Sequence, residues 1–333
     1  PLPTLQWRPS MYVNRVARAC SPIVLLIVAG CAGSGMTAST GPSVAGAGAP
    51  VTAGLARGFA RPTTIRPTYT TKKSLLFETN LDNQTVNVYQ TSALKSNPAP
   101  IATFHTQSGC PDGLAMDKKG TLYVADECNG NDIEEFPKGS TTEKTAITGI
   151  SDPSGLAIDK NGTLYVSTYP ASIEEFPAGS TSPSQIITGQ GLTDPFGLAL
   201  DANDNLYVAD FGAGTVYEIP FGTTSVKDLA LQGLDEPLGV AIDQKTKDLW
   251  VTNGSGNEIT VYALGNTNPI QTIAGNGFPY SASAQNKGKP RGTVVTSDIN
   301  ADAVYAFKSG SYTPYATLTN GVGEPNTVLL AKP

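Results

Sequence analysis

The chain has 333 residues, including 35 Gly and 25 Pro, and only 15% of its residues are charged. That turn-rich composition, with many Thr, Val, Ile and Tyr, points to a β protein built as one large domain. A formal net charge of −6 and a single His exclude a basic nucleic-acid-binding surface and a multi-His zinc centre.

Residues 1–30 read as an export signal. Arg8, Arg15 and Arg18 form a positive start, residues 23–28 are an apolar core too short to span a bilayer as a helix, and Val28-Ala29-Gly30 places small residues before Cys31. This order resembles a bacterial lipobox. The resemblance implies lipidation of Cys31 and a membrane-anchored protein in the periplasm or at the cell surface. Ala32 after the cysteine favours the outer membrane. Residues 31–73 are rich in Ala, Gly, Ser, Thr and Pro without apolar periodicity, and are expected to form a flexible tether reaching roughly 35 Å.

From residue 74 the pattern changes to short strands. Residues 75–80, 86–89 and 101–104 are strand-like, and then the motif Pro-x-Gly-Leu-Ala-apolar-Asp begins at Pro111. It returns at Pro153, Pro195 and Pro237, 42 residues apart each time. A degraded copy starts at Pro279 and a last one at Pro325, the extra length falling near 287–292. Second strands follow at 122–126, 164–168, 206–210, 249–253 and 294–298; third strands at 133–136, 173–176, 216–219, 259–262 and 304–307. Fourth strands are expected near 146–147, 186–187, 229–231, 270–273 and 315–318. Four short strands per 42 residues is the pattern of a propeller blade.

The last inner strand has no room for partners before Pro333, whereas residues 75–104 supply three strands without an inner one. The expected fold is therefore an all-β six-bladed β-propeller over 74–333. Its four-stranded antiparallel blades are closed by pairing the N-terminal strands with the C-terminal strand, which leaves no inner edge open. An open solenoid would leave part of a blade unpaired at each end.

Within the first hairpin, a turn at 117–120 makes residues whose numbers add to 238 face each other: Leu114 and Val124, Met116 and Leu122. The same register sets Asp112 against Asp126 and Cys110 against Cys128. In an exported protein the latter pair reads as a disulfide, with two free buried thiols as the alternative. His105 falls on an outer strand and reads as a surface or packing residue.

The run 153–166, Pro-Ser-Gly-Leu-Ala-Ile-Asp-Lys-Asn-Gly-Thr-Leu-Tyr-Val, resembles NHL repeats and the related calcium-dependent lactonase propellers of the SMP-30/gluconolactonase type. The resemblance covers 74–333. It implies that the x position of Pro-x-Gly lies at the mouth of the central channel, where SMP-30-like enzymes carry the ligands of their ion. Here x is Asp112, Ser154, Phe196, Leu238, Tyr280 and Asn326. Only Asp112 and Asn326 suit a hard cation, with Ser154 a poor third ligand, whereas Ca²⁺ takes about six to eight oxygens. No resident cofactor is expected beyond a weakly held Ca²⁺ or other divalent cation.

A mouth that is half polar and half apolar suits a small amphipathic molecule or a peptide loop. Phe196, Phe211, Tyr169 and Tyr280 are placed either to stack on it or to plug the channel. Asp126, Asp210, Asn253, Asp298 and Asn80 are expected to hold loop backbone. The reading is a monomeric binding or protein-interaction module, with an unknown small-molecule or peptide partner and no nucleic acid. The alternative is a metal-dependent hydrolase or lyase of the SMP-30/lactonase type using Asp112, Asn326 and Ser154.

Overall fold

Runs of up to seven residues rich in Val, Ile, Leu, Tyr and Thr alternate with turns in which Gly, Asn or Asp takes a positive φ, and each run forms a strand. The computed structural model describes residues 68–69, 72–107, 109–127, 131–286 and 292–332. The expected signal segment, Cys31, most of the expected tether and Cys128 lie outside these residues.

The first three strands are β1 (Leu75–Asn80), β2 (Thr85–Gln90) and β3 (Ala102–His105), with a 3-10 helix at Thr91–Ser96 between the last two. Blade 1 holds β4 (Pro111–Met116), β5 (Leu122–Asp126), β6 (Asp132–Phe136) and β7 (Thr145–Thr148); blade 2 holds β8 (Pro153–Ile158), β9 (Leu164–Thr168), β10 (Ser172–Phe176) and β11 (Gln185–Thr188). Blade 3 holds β12 (Pro195–Leu200), β13 (Leu206–Asp210), β14 (Thr215–Ile219) and β15 (Lys227–Asp228); blade 4 holds β16 (Pro237–Asp243), β17 (Asp248–Asn253), β18 (Glu258–Ala263) and β19 (Gln271–Ala274). Blade 5 holds β20 (Pro279–Ala284), β21 (Thr293–Asp298), β22 (Ala303–Lys308) and β23 (Ala316–Leu318). The final strand, β24 (Pro325–Ala331), joins β1, β2 and β3 in the order β24-β1-β2-β3.

The protein is thus a six-bladed propeller of four-stranded antiparallel sheets. Its ring is closed where Leu75 pairs with Ala331, Phe77 with Leu329 and Glu78 with Val328. Because strand residues alternate between faces, each blade sends two apolar layers into its neighbours. Leu122 and Val124 pack with Leu75, Phe77 and Phe104 of the closing blade, while Ala125 and Ile133 pack with Val166 and Phe176 of blade 2. Six such clusters lie between successive blades, so the core is divided around the ring.

Three sequence expectations change. The outer strand of blade 3 is β15 at 227–228, not 229–231. Asp228 Oδ1 accepts the Ala230 N–H at 2.7 Å and Ala230 has φ +51°, which turns the chain out of the sheet. The first hairpin follows the expected register from Leu114 to Val124, but Pro111 faces Asp126. A bulge at Pro-x-Gly shifts the register by one residue, so Asp112 does not face Asp126, and Cys110 accepts its ladder bond from the N–H of Glu127, 3.3 Å away. Finally Thr68 and Tyr69, expected in the tether, belong to the propeller. Tyr69 donates its N–H to the Gly139 carbonyl of blade 1 at 2.8 Å and packs edge-on against Phe77, with centroids 5.7 Å apart.

Candidate functional site: the axial channel

All six inner strands carry the bulge at the same place, the first residues of the strand. In blades 1 to 4 it sets a glycine against the main chain of the next inner strand, a place taken by Ser281 and Thr327 in the other two. A Cβ on Gly113 would lie 1.8 Å from the Ser154 carbonyl oxygen, and one on Gly155 would lie 2.0 Å from that of Phe196. Only glycine lets one blade meet the main chain of the next at this distance. The x residue before each glycine is thereby drawn toward the axis.

Five of the six x residues line one cavity of about 90 Å³: Asp112, Ser154, Phe196, Leu238 and Tyr280. The Tyr280 hydroxyl donates to the Asp112 carboxylate at 3.4 and 3.5 Å, and the Thr327 hydroxyl donates to Asp112 Oδ1 at 3.2 Å. Phe196 meets Tyr280 edge-on, with centroids 5.5 Å apart. Asn326 is fully buried and absent from that lining, Thr327 standing there instead. Its carbonyl accepts the Ser297 hydroxyl at 2.5 Å, while its side-chain Oδ1 and Nδ2 have no hydrogen-bond partner among the described residues. Phe211 and Tyr169 do not line the cavity; Tyr169 is exposed.

The channel continues through the layer of Leu114, Leu156, Leu198, Val240 and Leu329, shared by both cavities, into a basin of about 560 Å³ at the opposite end. The turns between first and second strands ring this basin, including Asp117, Asp159, Asp201 and Lys160. The repeated Asp of the motif is used locally. Asp117 Oδ1 accepts the N–H groups of Lys119 and Thr121, Asp159 Oδ1 those of Asn161 and Thr163, and Asp201 Oδ1 those of Asn203 and Asn205, all between 2.7 and 2.9 Å.

A ring of residues at the ends of β1, β5, β13, β17 and β21 holds loop backbone. Asp210 accepts the N–H groups of Thr193, Asp194 and Ala213, Asp298 those of Asn276, Phe278 and Ala301, and Asp126 that of Cys110. Asn253 accepts from the Asp235 N–H and Asn80 from the Asn83 N–H.

Sequence reasoning missed the residue just before this ring. Thr79, Ser167, Thr252 and Ser297 each donate a hydroxyl to the carbonyl of the next blade's x residue, at 2.5–3.1 Å. Ser167, Thr252 and Ser297 also accept the N–H of the residue after their own x. The signal was present as Ser or Thr in four blades and Ala125 or Ala209 in the other two.

Two carboxyls are perturbed. Burial pushes Glu78 up to about 8, with Asn87 Nδ2 donating to its Oε2 at 2.9 Å. Burial pushes Glu134 up to about 7, opposed by the Gln107 N–H that it accepts and aided to a lesser degree by the neighbouring Glu143, Asp126 and Asp132 charges. His105 is exposed on β3, and its Nδ1 lies 3.0 Å from the Gln84 carbonyl, an oxygen that only accepts, so that nitrogen carries the proton. Cys110 is disulfide-bonded.

The axial residues do not fit a divalent cation. The lining supplies one carboxylate, already bonded by two hydroxyls, and Leu238 and Phe196 occupy the facing side. Among the described residues no group of three or more His, Cys, Asp or Glu is placed to hold a metal. The unpaired amide of Asn326 fits a neutral guest such as an ordered water.

No protein-family model and no curated protein matches the chain. Solved structures do. The chain is similar to a chain of the crystal structure of a nidogen/laminin complex, with TM-score 0.66 and 17% identity over 78% of this chain and 98% of the other. It is similar to a catalytically inactive histidine-to-alanine variant of virginiamycin B lyase from Staphylococcus aureus, crystallised with quinupristin, with TM-score 0.50 and 15% identity over 73% of this chain and 84% of the other. A protein of unknown function from Bacteroides caccae matches with TM-score 0.57 and 13% identity over 78% of this chain and all of the other. At these identities the likeness is one of fold.

Proposed function

We propose that the chain is an exported, lipid-anchored propeller that works as a binding or protein-interaction module and takes its ligand in the axial channel. The observation that carries this reading is the convergence of Asp112, Ser154, Phe196, Leu238 and Tyr280 on one axial cavity, continuous in its lining with a basin of about 560 Å³. That size lies within the roughly 300–1,000 Å³ of ligand pockets. The cavity offers a carboxylate, hydroxyls and an aromatic pair beside an apolar side, which suits a ligand carrying both kinds of surface. The nidogen/laminin neighbour supports the protein-binding form of the reading. The export and anchor rest on the Arg-flanked apolar segment and the small residues before Cys31, and the NHL-like character on the repeated Pro-x-Gly motif.

The rival is a hydrolase or lyase of the axial site, favoured by the virginiamycin B lyase neighbour. In that neighbour the inactivating change is at a histidine. The single His of this chain is His105, exposed on the outer strand β3, which favours binding over that chemistry.

A thermal-shift screen of small amphipathic molecules and peptides, with and without divalent metal, tests the proposal. Ligands that stabilise the wild type and lose at least tenfold in affinity on Asp112→Asn are expected, with no dependence on metal. Metal-dependent turnover of lactones or esters that Asp112→Ala abolishes would establish the enzyme instead.

A further inference from the structure

We infer that the basin at the turn end of the channel binds the hydrocarbon portion of an aliphatic amphiphile, inserted along the axis with its polar head at the turns. The inference rests on the binding-module reading and adds to it a ligand class and a direction of approach.

The wall decides the class. Met116, Ile158, Leu200, Ala284 and Ala331 line the basin above the shared layer, and each is only half-buried although it lies on an inner strand. Among the described residues no aromatic side chain lines the basin, and the one hydroxyl in its wall, Ser283, is bonded by the Leu330 N–H at 3.0 Å. The charged and amide side chains of the lining, such as Asp159, Lys160, Gln244 and Asn286, stand at the turns, so the inner-strand part of the wall offers a sugar or a peptide backbone no ring face and few partners. A hydrocarbon chain needs only contact and removal from water.

The two ends decide the direction. At the x ring the channel narrows to about 90 Å³ against Leu238 and the Phe196–Tyr280 pair, whereas the turn end opens to about 560 Å³. A chain entering from the turns stops on that floor. Around the opening, several polar groups bond to one another or to main chain. Lys160 Nζ pairs with Asp204 Oδ2 at 2.8 Å, Lys118 Nζ donates to the Lys160 carbonyl, and Asn286 Nδ2 donates to the Ile242 carbonyl at 2.9 Å. An apolar wall under a charged collar matches the polarity of an amphiphile aligned with the axis. Blade 5 contributes Ala282 and Ala284 where blades 1 to 4 contribute pairs such as Leu114 and Met116 or Val240 and Ile242, so the lining side chains at these positions are smallest on that blade.

Titration calorimetry of the purified protein with octanoate, decanoate and dodecanoate below their micelle concentrations tests this, with dodecylamine and dodecylphosphocholine varying the head. Affinity is expected to rise about three- to fourfold per added methylene for all heads. Ala284→Phe, which fills the basin, should weaken dodecanoate binding at least tenfold, while Ile270→Thr on the exposed outer rim leaves it unchanged. Should Ala284→Phe not fold, Leu200→Ala widens the basin instead and should shift the preference to a longer chain. Affinity independent of chain length, or dodecanoate binding intact in a folded Ala284→Phe, overturns the inference. If peptides or other small molecules then bind in an Asp112-dependent manner that Ala284→Phe leaves intact, the binding module stands and only the alkyl site falls.

Discussion

Thr79 on β1 donates its hydroxyl to the main-chain carbonyl of Asp112 on β4, 3.1 Å away in the next blade. The hydroxyl oxygen in turn accepts the Thr327 N–H of β24 at 2.8 Å. One side chain thus joins the first strand, the last strand and the first complete blade. Replacing it with Val keeps the shape and removes both bonds. Thr79→Val is expected to lower stability by about 1–3 kcal/mol, measured by urea unfolding. A loss below a few tenths of a kcal/mol would show that the hydroxyl is not a clip.

The closing strand is the second test. β24 buries Val328 and Leu330 and pairs with β1 along its length. Deleting residues 324–333 exposes the inner edge of β1 and the layers it covers. The truncated chain is expected to lose its cooperative thermal transition and become rapidly cleaved by protease. A sharp transition near the wild-type midpoint would contradict a ring held by this strand.

Stability should fall as pH rises. The Glu78 carboxyl, normally near 4.5, is pushed up to about 8 by burial. The folded state therefore keeps a proton that the unfolded chain releases above 4.5. The stability tied to this proton is complete below pH 4.5 and is lost as pH rises through about 8. Glu78→Gln cannot ionise, and at about pH 9 it is expected to exceed the wild type by at least tenfold in folding equilibrium, about 1.4 kcal/mol. Denaturant titrations spanning acidic, neutral and alkaline pH read this directly, and parallel pH profiles for the two proteins would remove Glu78 as the cause.

The interblade glycines should not tolerate a methyl group. Gly155→Ala places a Cβ 2.0 Å from the Phe196 carbonyl oxygen, where main chain meets main chain. Blades 2 and 3 must separate, and a loss of about 1–3 kcal/mol or more is expected. A melting temperature unchanged from wild type would mean the blades are looser than this contact requires.

Cys110 is disulfide-bonded, and we propose Cys128 as its partner. Cys110→Ser and Cys128→Ser are each expected to cost about 2–4 kcal/mol. Non-reducing peptide mapping should recover the two cysteines in one linked pair; thiol labelling of Cys128 without reductant would break the assignment.

Much of this architecture is written in the chain. The 42-residue return of Pro-x-Gly fixes the number of inner strands. The apolar alternation at Leu122–Asp126 fixes two buried faces, and the orphaned strands at 75–104 call for an inner partner that only 325–331 can provide. These are local, periodic signals, and each is read within one blade. The register at Asp112, the staple at Thr79, the seating of Tyr69 and the widths of the two channel ends are different in kind. The bulge that moves Asp112 away from Asp126 sits where Gly113 meets the Ser154 carbonyl of another blade. The channel's width depends on side chains such as Met116, Ala284 and Ala331 that are far apart along the chain and meet only around the axis. Sequence settles what each blade does with its own neighbours in the chain. Contacts between blades depend on packing volumes summed around the closed ring, and only the tertiary structure decides them.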